Sequence, residues 1–555
     1  MNNNIAKKSC YTLLFVVVFL NFTGCEEFAD EQSFKTVTVN EERIRSIEPL
    51  DLDIFKAPEQ DTKTEPEVET EPKDSLELTL ESCRAITLQN NLDLKVQLIN
   101  PSIAAETVIQ QEADKFESLF YSNLAYQKTD RPPASDTYLA ASTSDDSRIN
   151  LGVDMPLRTG GTVSFDITDS RSKNNSDSAF FNPAYATDFS ISVSHPLLRN
   201  AGKRAATYFI RAAQYSRQQV NAQTSLEVIT AIAAADQLYW QLYASRKELD
   251  VLKKQHDLAK ALYEQAERFV DVGERPLIEA IRAEAGVARQ LAAIIATENT
   301  VRDNERRLKL IMNKPDLTID TPTIVITATE PDPVKYELDK ELLLTKAIAN
   351  RMELLQAELE IAKALSEIDY RRNQSLPLLT ANYSYTVHGI GASQDDSYKL
   401  LDDKDFEDHY MGLSLQIPLG NESAKSKLRE AIYKRRQQLA TKQNRELLVK
   451  KEVLAAIDLV ETNWQQLLSN RQSAILEGRL YSAELRQFQI GLNTSTDVLQ
   501  AQTTFANAQS AEIQALANYQ ISLIELARAT GTLLGAAKVE WEPIVPTTST
   551  QNINK

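Results

Sequence analysis

The sequence predicts a mostly α chain that carries membrane β-strands and is built by tandem duplication. Three observations predict this. The first is a scarcity of breakers: the 555 residues include 15 Gly and 19 Pro, and none lies from Lys203 to Val272 or from Val334 to Leu376. Stretches that long without a breaker read as very long helices. The second is clean apolar–polar alternation in segments of about nine or ten residues, the length at which a tilted strand crosses a bilayer. The third is a set of four stretches that recur in the same order in the two halves of the chain.

Composition narrows the function classes. Hydrophobic residues make up 42% and charged residues 25%, so the chain can bury apolar surface. The net charge is −17, and residues 26–74 hold sixteen Asp/Glu against six Lys/Arg. The rest is nearly balanced, with no basic stripe to attract nucleic acid. The three cysteines cannot make a disulfide framework. The four histidines, His195, His256, His388 and His409, show no ligand spacing, and there is no HExxH, CxxC or P-loop. No catalytic residue, metal site or cofactor is expected.

The elements follow in order. Lys7 and Lys8 precede an apolar run from Tyr11 to Leu20, too short to span a bilayer and suited to a signal peptide over 1–24. Phe22-Thr23-Gly24-Cys25 resembles a bacterial lipobox, with Phe22 at the position where Leu is usual. Cys25 is then the lipidation site, and acyl chains would anchor the chain stably at about 0.8 kcal/mol per buried CH₂. The alternative is ordinary cleavage with Cys25 a bystander. Residues 25–74 are acidic and proline-punctuated, which reads as a solvated tether. Cys83 would remain as a lone thiol, buried and inert.

The duplication sets the rest. Ala85 to Leu94 echoes Ala347 to Leu354, and Phe116 to Tyr126 echoes Leu376 to Tyr385. Phe189 to Leu197 echoes Met411 to Leu419. Val272-Gly273 with Glu279 to Ala283 echoes Ile490-Gly491 with Asp497 to Ala501. The repeats span 75–314 and 338–535, joined by a linker over 315–337 with a β-branched run from Thr323 to Thr327; 536–555 is a tail. Strands are expected at about 118–126, 149–157, 162–169 and 187–197 in the first repeat, and at 379–388 and 409–419 in the second. Long helices are expected over 203–271 and 421–490.

In the second of these helices Val453, Ile457, Val460, Trp464 and Leu467 step by 4, 3, 4 and 3, a heptad seam for helix–helix packing. Lys203 to Asp271 covers 69 residues, ~100 Å of helix. The shorter stretches Pro276 to Asn313 and Leu338 to Gln374 together match that length. They are expected to stack end to end beside it, meeting where residues 315–337 sit.

At this point the chain resembles the TolC-like outer-membrane efflux family of Gram-negative bacteria, in its lipoprotein branch. The likeness covers about residues 75–535 and is most specific from Gly491 through Asp497 to Ala501, and over Ala527 to Leu533. The resemblance implies a homotrimer, with an outer-membrane β-barrel continued by a coiled-coil tunnel through the periplasm. It also implies a passive exit duct of a tripartite efflux pump or type I secretion system, with no catalysis of its own. Its partners would be a periplasmic adaptor, an inner-membrane transporter and outer-membrane lipid. Oligomerisation also follows physically, because a few strands cannot close a barrel and open edges are not tolerated in lipid. Six strands per chain would give eighteen per trimer against the family's usual twelve; the rival is a hairpin folded over the rim. The polar connections 127–147 and 170–186 and the acidic loop Gln394 to Asp408 would lie outside. The alternative function is a periplasmic lipid-anchored coiled-coil adaptor or structural protein.

The resemblance also nominates sites. Gly273 and Gly491 sit where descending helices reverse, as a plain C-cap or as adaptor-docking periplasmic tips. Arg268 and Arg486 precede them and either cap carbonyls or contact the adaptor. Asp497 matches an aspartate of the family's closed periplasmic gate, with Glu279 its equivalent in the first repeat. The bland reading of Asp497 is a helix N-terminal carboxylate. The family's second aspartate is Gln500 here.

Overall fold

A computed structural model describes residues 75–132, 143–176 and 179–537. The expected signal peptide, Cys25, the tether and nearly all of the tail lie outside the described residues.

Two helices dominate. α4 (Tyr208–Asp271) has 64 residues and α9 (Glu422–Gln489) has 68, so each is ~100 Å long. A short α3 (Lys203–Ala206) precedes α4, with the chain leaving helical geometry at Thr207. The seam of α9 is buried at Val453, Ile457, Val460, Leu467, Ala474 and Phe488. It packs against α10 (Ser495–Ala529), as α4 packs against α5 (Leu277–Met312).

The ascending helices are each broken in two, at Asn91 between α1 (Leu80–Asn90) and α2 (Leu92–Phe116), and at Arg351 between α6 (Lys340–Asn350) and α7 (Met352–Gln374). The breaks overturn the expected stacking of Pro276–Asn313 on Leu338–Gln374. Each return helix instead ends against the break of its own half. Asn91 Nδ2 donates to Ile311 O at 2.9 Å, and an Arg351 guanidinium N–H donates to Ala529 O at 3.2 Å. The cause is the orphaned last-turn carbonyls of a helix, which need donors. Asn91 and Arg351 occupy equivalent places in the two halves and serve the same need with different side chains. Arg351 also pairs with Glu353 and Glu452, both at 2.8 Å.

Around these breaks lies the main core. β1 (Ser75–Leu78) pairs in parallel with β6 (Ile324–Thr327), which occupies the β-branched run of the linker. Tyr239 is fully buried; its hydroxyl donates to Leu78 O and accepts Thr329 N–H, both at 2.9 Å. It thus ties the two-stranded sheet to α4. Arg84 clamps buried Asp236 with two bonds, 2.8 and 2.7 Å. Cys83 is fully buried, and burial pushes its thiol up to about 12.

The remaining strands form one antiparallel sheet in chain order: β2 (Leu119–Asp130), β3 (Thr143–Pro156), β4 (Thr162–Asn174), β5 (Ala184–Pro196), β7 (Leu378–Gly391) and β8 (Glu407–Gln416). The extra hairpin β3–β4 is paired between β2 and β5, so it is part of the sheet and not a flap. Strands β2 and β3 run well into the connection expected at 127–147. The acidic segment expected as a loop at 394–408 contains a helix, α8 (Gln394–Asp403). Ser393 caps it by accepting Asp396 N–H, and Asp395 and Asp396 complement the positive end of its dipole. α8 lies directly on β7: Ser397 is buried, bonded to Thr187 and to Gly389 O. A Cβ at Gly389 would sit 2.2 Å from Ser397 O, so only glycine admits this contact.

Candidate functional site

The sheet has two chemically distinct faces. Strict period-two alternation and the register place Phe189, Ile191 and Val193 of β5 beside Val387, Tyr385 and Tyr383 of β7. On the same face Tyr383, Ala381 and Leu379 meet Met411, Leu413 and Leu415 of β8. Much of this face is bare: Met411 is 82% exposed and Leu413 73%, as is Leu124 of β2, on the same face through Ile149 of β3, at 76%. α8 covers this face at Thr187 and Gly389, and the rest, an apolar surface of this extent, needs a covering medium. Among the described residues, no helix is long and apolar enough to cross a membrane.

The opposite face is polar and acidic. Ser164 donates to Asp154 and Ser172 to Asp146, each at 2.5 Å. Tyr121 bonds Asp166 across Gly152, whose missing side chain leaves room for the ring. His388 bridges three strands, with its ring nitrogens 2.7 Å from Asp188 and 3.0 Å from Asp408. His195 of β5 lies instead at the end of the apolar face, paired with Ala381, with Nε2 3.0 Å from Thr159 Oγ1. Among the described residues no cluster of His, Cys, Asp or Glu is arranged to hold a metal ion.

The far ends of the long helices form a paired tip. Gly273 has φ +77° and Gly491 φ +84°, the left-handed geometry that favours glycine. Each closes its helix identically. Glu274 N–H reaches Phe269 O and Gly273 N–H reaches Val270 O; Leu492 N–H reaches Gln487 O and Gly491 N–H reaches Phe488 O. These are Schellman motifs. Arg268 and Arg486 contribute their backbone carbonyls to the same turns. Their guanidinium groups are exposed and, among the described residues, cap no carbonyl.

The two helix starts differ. The second return helix begins at Thr494, and Asp497, three residues on, accepts the Thr494 N–H at 3.0 Å and its hydroxyl at 2.7 Å. Those bonds, first the Thr494 hydroxyl, hold the Asp497 carboxyl below its usual range. The first return helix begins at Pro276, which has neither N–H nor hydroxyl to give. Glu279, at the matching position, therefore turns outward from its own helix. It accepts Ser495 N–H at 2.8 Å and Ser495 Oγ at 2.6 Å, and pairs with Arg282 at 3.0 Å. Burial acts to raise the Glu279 pKa, but the Ser495 and Arg282 contacts outweigh it and leave the carboxyl below its usual range. One helix's carboxylate thus caps the other helix.

Arg275 adds a second link, donating to Asn493 O at 3.2 Å with its guanidinium 5.4 Å from the Phe488 ring centroid. Beneath lies a small core of Leu262, Ala266, Ala283, Phe488, Val498 and Leu499. Of the residues nominated from sequence, Gly273 and Gly491 sit on the two linked turns. Asp497 is exposed and Glu279 is only 4% exposed, between the helices. Arg275, Asn493 and Ser495 were missed. The signal that could have found them is Pro276, which leaves Glu279 without a local partner.

Fold and faces define a chain that presents an apolar sheet to a membrane and carries long helices below it. The sequence profile described as "Outer membrane efflux protein" matches residues 161–314 and 343–532. The chain belongs to that family. A curated relative, "Outer membrane protein TolC" of Vibrio cholerae serotype O1, is 22% identical over 340 residues, covering 60% of this chain and 74% of its own. Among solved structures, the CmeC outer membrane channel of Campylobacter jejuni superposes with a TM-score of 0.61 at 14% identity, over 82% of this chain and 86% of that one. The open-state MtrE outer membrane channel of Neisseria gonorrhoeae gives 0.56 at 14%, over 82% and 89%. The protein is accordingly an efflux channel of the outer membrane and not an enzyme.

Proposed function

We propose that the chain is the exit duct of a tripartite efflux pump or type I secretion system, a passive homotrimer coupled through a periplasmic adaptor to an inner-membrane transporter. The observation that carries this reading is the open six-stranded sheet, apolar on one face and polar on the other, whose edges β2 and β8 have no partner among the described residues of the protomer. Open edges cannot stand in lipid. β2 ascends from α2 and β8 descends into α9, so β8 of one copy and β2 of the next meet antiparallel. Cyclic repetition then closes a ring with the polar face inward. Three copies give eighteen strands, within the range of bacterial barrels.

The long helices would continue the ring as a tunnel. The tips at Gly273 and Gly491, with the free guanidinium groups of Arg268 and Arg486, would receive the adaptor. Asp497 is exposed and could face the narrow end as a gate, while Glu279 would serve it from behind by fixing the first turn of α10. Cys25 would carry the lipid anchor. Conductance of the purified full-length protein in planar bilayers tests the duct. Steady current without nucleotide or a proton gradient is expected, larger for Asp497→Ala. No conductance from either protein would overturn the reading.

A further inference from the structure

The apolar column on β5 does not stop where the strand does. Pairing continues beside β7, with Leu197 N–H to Leu379 O at 2.7 Å and Arg199 N–H to Pro377 O at 3.1 Å. The period of two aligns Phe189, Ile191, Val193, His195 and Leu197, and Arg199 follows in the turn just beyond them. An apolar column ends in a cation. Lys203 and Arg204 follow within a turn, both exposed; the Arg204 side chain is 80% exposed and 3.1 Å from Asp369. Residues 196–211 contain four cations and no carboxylate. Among them stands Phe209, 49% exposed, with its ring edge toward Tyr370 at 5.5 Å. The other end of these strands has the opposite sign: residues 391–408 hold seven carboxylates and two lysines. β5 and β7 also lie inside the sheet, away from both edges, so a copy joined at a sheet edge does not pair with them.

We propose that Arg199, Lys203 and Arg204 bind the phosphates of anionic phospholipids in the periplasmic leaflet of the outer membrane. Leu197 sits at the acyl–glycerol boundary, and Phe209, about 9 Å further along the descending helix than Lys203, lies on the headgroup side of the cations. An aliphatic group at that depth, with cations and an aromatic ring just beyond, is the chemistry of a membrane–water interface. The charge polarity along the barrel then matches the chain to one leaflet and resists vertical slippage. This inference rests on the reading of the sheet as membrane-embedded.

The test is native mass spectrometry of the detergent-extracted full-length protein titrated with phosphatidylglycerol or phosphatidylcholine. Wild type should retain phosphatidylglycerol preferentially. Arg199→Gln, Lys203→Gln and Arg204→Gln should each lower that preference about fivefold. A control triple, Lys253→Gln with Lys254→Gln and Lys260→Gln, removes three cations some 75 Å further down α4 and should change nothing. Equal retention of the two lipids, an equal loss in the control, or displacement by millimolar glycerol 3-phosphate would overturn the proposal. Liposome flotation separates the two readings. Wild type that floats without lipid preference sinks this inference alone, and wild type that does not float sinks the membrane reading beneath it.

Discussion

The two helical tips share one turn and differ in one cap. Both reverse through a left-handed glycine inside the same hydrogen-bond pattern. Then Thr494 retains its own carboxylate, Asp497, whereas Pro276 cannot, and Glu279 crosses to Ser495. Duplication thus kept the backbone and reassigned a side chain. The result is a carboxylate link between the hairpins, beside the one that Arg275 makes to Asn493 O. Removing a local partner from one copy was enough to create a long-range contact.

The largest expected effect comes from breaking that link. Glu279→Leu leaves the buried Ser495 N–H without an acceptor, while the hydroxyl keeps the residue-279 carbonyl at 3.2 Å, at about 2 kcal/mol. Amide exchange in the first turn of α10 should report it. Asp497→Ala removes a cap whose donors water can reach, and should cost about 1 kcal/mol. If Asp497→Ala proves the costlier of the two, the comparison fails. Gly273→Ala and Gly491→Ala should each cost about 1–2 kcal/mol, from left-handed strain alone. They should agree closely, because a Cβ meets nothing within 4 Å at Gly273 and only an Arg275 nitrogen at 3.7 Å at Gly491. Unequal melting shifts would show that the turns are not equivalent.

The smallest effect is that of acid. Both carboxylates titrate below their usual values, so their contribution is complete above the unfolded pKa, about 4.5 for Glu279. It is lost as pH falls through the folded value. Exchange at the Ser495 amide should rise beyond its intrinsic rate below pH 4 and not between pH 6 and 8.

The fold class was legible because its signals are local. Alternation locates a strand within a few residues, and β7 and β8 overlap the segments that alternate at 379–388 and 409–419. Missing breakers locate a long helix in the same way. The helix breaks at Asn91 and Arg351 were not legible, because neither residue breaks a helix by itself; each is chosen for the carbonyl it caps across the fold. α8 was hidden in an acidic run whose cap, Ser393, has meaning only once Gly389 admits the helix. At the tip the glycines and Asp497 could be read from spacing. The task of Glu279 could not, because it depends on where α10 begins in space.

The central claim is that several copies close one barrel from six strands each. Single-particle cryo-electron microscopy of the detergent-extracted protein tests it directly. The account predicts a three-fold ring of eighteen strands, with β8 of one copy paired to β2 of the next and the polar face lining a continuous opening. A monomer with both sheet edges free, or a ring that leaves β3 and β4 outside, would contradict it.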